Sequence, residues 1–184
     1  AMARRRRASI DDRPGLAEGR VLDLNGVPHR IRILPSASAR STVRRSLDTD
    51  EDGIRGVIEV RAPDDVAARR ALEGYLRTEA RQLLEARVAA LAPMMAVTAG
   101  PVIVRDQRSR WGSASRRGSL SFSWRLLLAP TFVLDAVVVH ELAHLRHADH
   151  STRFWALART HAPRTDEARR WLRENRHVLR AALD

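Results

Sequence analysis

Two hydrophobic periods divide the chain. Up to residue 63, apolar and polar positions alternate, which is the period of a strand with one dry face. The stretch "RVLDLNGVPHRIRIL" (20–34) alternates on both sides of Asn25-Gly26, a pair suited to a two-residue hairpin turn. The stretch "TVRRSLDTDEDGIRGVIEVRAP" (42–63) predicts a second strand pair around acidic turn residues at 48–53, with "PSASARS" (35–41) as a loop between the pairs. The expectation is two hairpins forming a small antiparallel sheet.

From Asp64 the period lengthens. Val66, Leu72, Leu76, Leu83, Leu84, Val88 and Leu91 fall at helical spacing and predict one long amphipathic helix. Asp64 or Asp65 can cap its start, and Pro93 is expected just past its end. Strands follow at 101–107 and 118–128, the second with Leu120, Phe122, Trp124 and Leu126 alternating. Between them "RSRWGSAS" reads as a polar loop or hairpin, with a tight turn at Gly112. Three helices complete the reading. The first spans about 131–147 with Pro130 in its opening turn; the others span 151–161 and 165–182, with Ser151 and Thr165 as caps. No internal repeat is present. The fold class is α+β: N-terminal hairpins, a long helix, a short sheet, a central helix and C-terminal helices. Residues 20–184 are expected to form a single domain. Residues 1–19 lack periodicity, carry the run Arg4–Arg7, and are expected to be a flexible basic tail.

Composition narrows the function classes. No apolar run reaches the roughly 18 residues that span a bilayer; the longest, 126–139, is interrupted by Pro130 and Asp135, so no membrane partner is expected. Residues 1–19 hold no apolar segment of the secretory type. There are no cysteines, which excludes disulfides, restricts any metal site to nitrogen and oxygen ligands, and fits a cytoplasmic location. The net charge is +11, and all 33 basic residues are arginine. Such a charge attracts nucleic acid or another polyanion. The arginines are spread along the chain, however, which favours a solvated basic surface and leaves nucleic acid an alternative partner.

The chemistry concentrates in "VVVHELAHLRHADHSTRFW" (137–155), which holds four of the seven histidines. The preceding helix is apolar almost all round, so it is expected to be buried. Burying His140, Glu141 and His144 there without partners would cost several kcal/mol. His140 and His144 are four residues apart, about 40° round the helix and one turn along it, so both imidazoles can meet one metal ion. Glu141 lies one step round and can reach a water held there without being a ligand. This is the His-Glu-x-x-His arrangement of zinc hydrolases. A catalytic zinc takes a third protein ligand. His150 is the expected one, brought back by a chain reversal at Ala148-Asp149, with His147 or a carboxylate from elsewhere as alternatives. On a straight helix His147 lies about 10 Å from His140 along the axis, too far for a shared ion. His29, His161 and His177 are isolated and expected to be exposed polar residues, His161 being the one to check as a transition-state donor. Asp149 can orient His150 or cap the next helix, and Asp135 falls near the opposite face of the helix from His140.

The ordered set "RSRWGSAS", "LSFSWRLLLAP", "VVVHELAHL" and "HSTRFW" resembles the YgjP-like metallopeptidase family, related to the SprT-like and WLM zincins. The resemblance is densest over 108–155 and extends loosely over 20–180. It implies a zincin-like fold, zinc bound by His140, His144 and His150, and Glu141 as base. Ala114 stands where the family usually has Cys, so no thiol acts at that position. The His140, His144, His150 spacing also matches metzincins. Those proteins, however, have Gly at the position of His147 and a downstream methionine turn, and this chain has no Met after Met95.

The resulting expectation is a zinc-dependent peptidase acting on a peptide or protein substrate. Glu141 would be its general base, and the oligomeric state is not legible. Arg110, Arg125 and Tyr75 are weak candidates for the oxyanion donor. The strand at 118–124 could offer a sheet edge to the substrate. A nucleotide (UTP-type) pyrophosphatase is an alternative, implied by a label carried by some members of the family. No glycine-rich phosphate loop or magnesium-binding carboxylate cluster accompanies it. A nucleic-acid-associated protease is a further alternative, permitted by the charge, although no zinc-finger pair is present.

Overall fold

The computed structural model describes residues 16–47, 49, 52–107 and 109–183. The expected tail lies almost wholly outside the described residues, as does part of the acidic turn at 48–53.

The first sheet contains β1 (Val21–Leu24), β2 (Val27–Pro35), β3 (Thr42–Ser46) and β4 (Gly56–Ala62), in the order β1-β2-β4-β3. Both expected hairpins form. Asn25 and Gly26 take positive φ values of 52° and 86° at the first turn, as a type I′ turn requires. The two hairpins are not joined antiparallel as expected. β2 and β4 run parallel, from His29 opposite Gly56 to Pro35 opposite Ala62, so the sheet is mixed. This register sets Ile31 level with Ile58 and Ile33 level with Val60, merging the apolar stripes of the two longest strands into one inner face.

That face packs on α1 (Asp65–Met94), whose start is capped by the Asp64 carboxylate accepting from the Ala67 N–H at 2.7 Å. The helix continues through Pro93 rather than stopping before it, and Val66 is exposed rather than buried. Its buried residues are Ala68, Leu72, Leu76, Ala80, Leu84, Val88 and Ala92, every fourth position. Because a helix turns about 400° in four residues, this stripe winds by about 40° per step. One helix can therefore face the first sheet near its start and the rest of the molecule farther along.

The second sheet contains β5 (Val102–Arg105), β6 (Gly112–Ala114) and β7 (Leu120–Ser123), in the order β5-β7-β6. The strand expected over 118–128 ends at Ser123, and Trp124–Leu128 forms a 3-10 helix with all five residues buried. Three successive leucines cannot all be buried by a strand with one dry face, and a tight helical turn buries them.

Helix α2 (Thr131–His144) is the centre of the molecule and is packed by α1, α4, β6, the 3-10 helix and α3 (Thr152–His161). Pro130 sits at its cap rather than in its first turn, and the helix ends at His144, short of residue 147. The expected helix 165–182 is broken into α4 (Thr165–Glu174) and α5 (Arg176–Arg180) at Asn175, whose side-chain amide donates to the Trp171 carbonyl. Ser151 caps α3 by accepting from the Phe154 N–H. Thr165 is not a cap: its hydroxyl donates to the Ala162 carbonyl at 2.6 Å, and the cap position falls on Arg164. Among the described residues no helix is long and apolar enough to cross a membrane.

His29 corrects a sequence expectation. It is fully buried beneath the first sheet, not exposed. Its Nδ1 donates to the Val27 carbonyl, and its Nε2 accepts from Arg45 Nε at 2.8 Å. Both ring nitrogens are used, so the ring is held without a metal.

Candidate metal centre

The C-terminal end of α2 carries His140, Glu141 and His144. Beyond it the chain tightens into a turn, with the N–H groups of Arg146 and His147 both bonded to the Ala143 carbonyl. His144 Nδ1 donates to the backbone carbonyl of His147 at 3.2 Å. A carbonyl only accepts, so this bond puts the proton on Nδ1 and leaves the Nε2 lone pair pointing away. His147 thus contributes through its backbone. Its side chain is not part of the histidine group. The reversal through Ala148 and Asp149 then returns His150 to α2. The Nε2 atoms of His144 and His150 each lie 3.2 Å from His140 Nε2. Among the described residues these three form a group whose ligand atoms all lie within 4.8 Å of one another.

Phe154, fully buried in the first turn of α3, is the wedge behind the three rings, with centroid distances of 4.9, 4.6 and 4.8 Å to His140, His144 and His150. Trp155 stacks on His150 at 5.6 Å. The sequence motif "HSTRFW" therefore brings His150 to the histidine group together with its aromatic support.

The donor set fits a metal ion. Each ring nitrogen carries at most one proton, so His140 Nε2 cannot donate to both neighbours. Lone pairs 3.2 Å apart repel unless a cation lies among them. Nitrogens about 2.0–2.1 Å from a tetrahedral ion stand about 3.3–3.4 Å apart, close to the observed spacing. Burial pushes His140 down to about 4, with the neighbouring His144, His150 and Arg169 charges acting the same way. Burial likewise lowers His144. Imidazoles that stay neutral at pH 7 are the form that binds metal.

Glu141 is 6% exposed, and its carboxylate faces β6. It accepts a bond from the Ala114 N–H. Burial pushes it up to about 7, opposed by the Arg110 charge and by that N–H. Gly112 has no left-handed φ, so its reason is not the tight turn expected from sequence. A Cβ at Gly112 would lie 2.6 Å from Glu141 Oε1 and 2.7 Å from its Cγ; the glycine makes room for the carboxylate.

A cleft of about 310 Å³ opens beside Glu141. Ala136 and Val137 of α2, Ala168 and Leu172 of α4, and Trp111 supply apolar wall, while Arg110 and Arg169 supply positive charge. Arg169, which also lies over the Trp155 ring at 4.6 Å, was missed by sequence reasoning, where it is one arginine among many on a helix. The sheet edge next to the centre is also not the expected one. β7 is the middle strand, and the outer strand beside Glu141 is β6.

The remaining candidates lie elsewhere. Arg125 is buried against Asp106 and the Leu179 carbonyl. Tyr75 bonds Arg45 and Glu79 where α1 meets the first sheet. Asp135 makes a two-pronged pair with Arg87 of α1. Asp149 is bonded by Ser151 at the start of α3. His161 closes α3, outside the histidine group, and His177 is exposed. Trp124 is fully buried.

No curated protein matches the chain. A crystal structure of the metallopeptidase zymogen abylysin from Pyrococcus abyssi is similar over 50% of this chain and 93% of that one, at 20% identity and a TM-score of 0.45. The family model described as YgjP-like, metallopeptidase domain, matches residues 1–175. With the match running through both sheets, the histidine group and α4, the chain belongs to the YgjP-like metallopeptidase family.

Proposed function

We propose that His140, His144 and His150 hold one zinc ion and that Glu141 is the general base in peptide-bond hydrolysis. The observation that carries this reading is the convergence of three imidazoles, the Nε2 atoms of His144 and His150 each 3.2 Å from His140 Nε2 and all ligand atoms within 4.8 Å, with the buried Glu141 carboxylate on the residue after His140. When bound, such an ion supplies Lewis acidity, lowering the pKa of a water to about 7 and polarising a carbonyl.

The protein's own groups do the rest. Glu141, held near pH 7 by burial, takes the proton of the attacking water and returns it to the departing amine. The Ala114 N–H and the space above Gly112 fix where that carboxylate points. Arg110 and Arg169 bring positive charge to the cleft where the oxyanion develops. The outer edge of β6 leaves the Gly112 N–H and carbonyl to pair with an extended peptide, while the Ala114 N–H on the same side is taken by Glu141. A side chain next to the scissile bond then enters the cleft between Val137 and Leu172, which suits an apolar residue.

The test compares the zinc-loaded protein with Glu141→Gln on a mixed peptide library and on nucleoside triphosphates. Elemental analysis runs alongside. One zinc per chain, with peptide cleavage lost in Glu141→Gln, is the expected result. Absence of stoichiometric metal, or cleavage of triphosphates but not peptides, overturns the reading.

A further inference from the structure

The outward face of the first sheet holds a second feature, and it shares no residue with the cleft at Glu141. Alternation along the strands turns Ile31, Ile58 and Val60 inward and sends the residues between them to the opposite face. Register then sets Arg32, Glu59 and Arg44 level across β2, β4 and β3. With strands about 4.8 Å apart, the two arginines flank Glu59 with their Cα atoms about 10 Å from one another.

Glu59 does not neutralise them, because it accepts from Arg61 Nε at 2.7 Å. Asp52, at the sheet's end, bonds Arg30. Among the described residues Arg32 and Arg44 have no ion-pair partner, and both are exposed. They line a groove of about 670 Å³ that also receives the hydroxyl-bearing residues Ser46 and Thr49.

We propose that this groove binds the phosphodiester backbone of nucleic acid, without regard to sequence. Guanidinium forks match phosphate oxygens in pairs. The groove is lined by no aromatic side chain, so it offers charge and hydroxyl donors but no stacking platform for bases. Two unpaired arginines with Cα atoms about 10 Å apart across an open sheet suit successive phosphates of a chain better than one compact phosphate group. The net charge of +11 supplies the long-range attraction that brings a polyanion to the surface. The inference goes beyond the peptidase reading and does not depend on it.

Fluorescence anisotropy of a labelled oligothymidylate, titrated with the full chain at several salt concentrations, tests the proposal. Arg32→Gln/Arg44→Gln is expected to bind about tenfold more weakly at low salt. The slope of log K against log salt should fall by about 1.4, since each lost phosphate contact on a single strand contributes about 0.7. An unchanged melting temperature shows that the variant folds, and the single variants Arg32→Gln and Arg44→Gln serve if it does not. Arg69→Gln/Arg81→Gln, on exposed positions of α1, removes the same charge elsewhere and is expected to bind nearly as the parent does. Glu141→Gln is expected to bind as the parent does, which separates this site from the peptidase centre. Absence of binding, or an equal loss in the α1 control, overturns the proposal. Inorganic tripolyphosphate displacing the oligonucleotide at equal phosphate concentration would assign the groove to small phosphates and overturn the nucleic-acid assignment.

Discussion

Replacing Gly112 by alanine probes the proposed centre with a single methyl group. The new Cβ would meet Glu141 Oε1 at 2.6 Å, Cγ at 2.7 Å and Cδ at 2.9 Å. Ordinary carbon contacts stand at about 3.5–4.0 Å, so the carboxylate must withdraw by about 0.7–1 Å or the strand must shift. Withdrawal also lengthens the bond from the Ala114 N–H. Misplacing a reacting group by about 1 Å costs about 10²-fold in rate, equivalent to about 2.7 kcal/mol of barrier. Overpacking of this kind costs about 1–3 kcal/mol in stability, which for a chain of this size lowers the melting temperature by about 2–12 °C. The three atoms nearest the new methyl group all belong to Glu141 and none to the three histidines, so zinc affinity should stay unchanged. Steady-state cleavage of a fluorogenic peptide, with zinc content measured on the same sample, gives both quantities. An enzyme that keeps its full kcat/KM, or one that loses its metal, would refute the account of what this glycine is for.

Further outcomes follow from the same geometry. His150→Ala removes one of the three converging nitrogens. Competition against a chelator should show zinc affinity falling by more than the 10–100-fold typical of losing a mere supporting contact. Phe154→Ala empties a fully buried site behind all three rings. It should cost about 3–5 kcal/mol in denaturant unfolding and weaken metal binding as the rings lose their common wall. His29 is held below its ordinary value, chiefly by burial, with the Arg45 charge acting in the same direction and the Val27 carbonyl against it. Its neutral form is the folded one, so its contribution is complete above pH 6.5, the unfolded value, and is lost as pH falls from there through the folded value. Urea midpoints measured on metal-free protein at descending pH should therefore fall more steeply for the parent than for His29→Asn; parallel curves would contradict this.

The locally encoded parts of the centre were legible. His140, Glu141 and His144 lie within five residues on one helix, and the period of 3.6 alone decides that the two imidazoles share a face. The Asp64 and Ser151 caps and the Asn25-Gly26 turn are equally local, each resting on contacts within three residues. Boundaries were less legible. Trp124–Leu128 continued an alternating pattern yet coiled into a 3-10 helix, and the helix expected over 165–182 broke at Asn175.

The chain alone therefore determined the helix that carries His140, Glu141 and His144 and the α+β composition, because short-range periodicity and capping encode these. Only the tertiary structure decided that β2 pairs parallel with β4 and that His29 is buried beneath them. It also decided that β6 rather than β7 borders the centre, that Gly112 makes room for Glu141, and that Arg169 reaches the cleft from α4. Each of these joins residues at least 16 positions apart in the chain, the nearest pair being His29 and Arg45. Such pairs meet only when apolar faces from distant segments are buried against one another, and no pattern inside either segment reports which partner it will bury against.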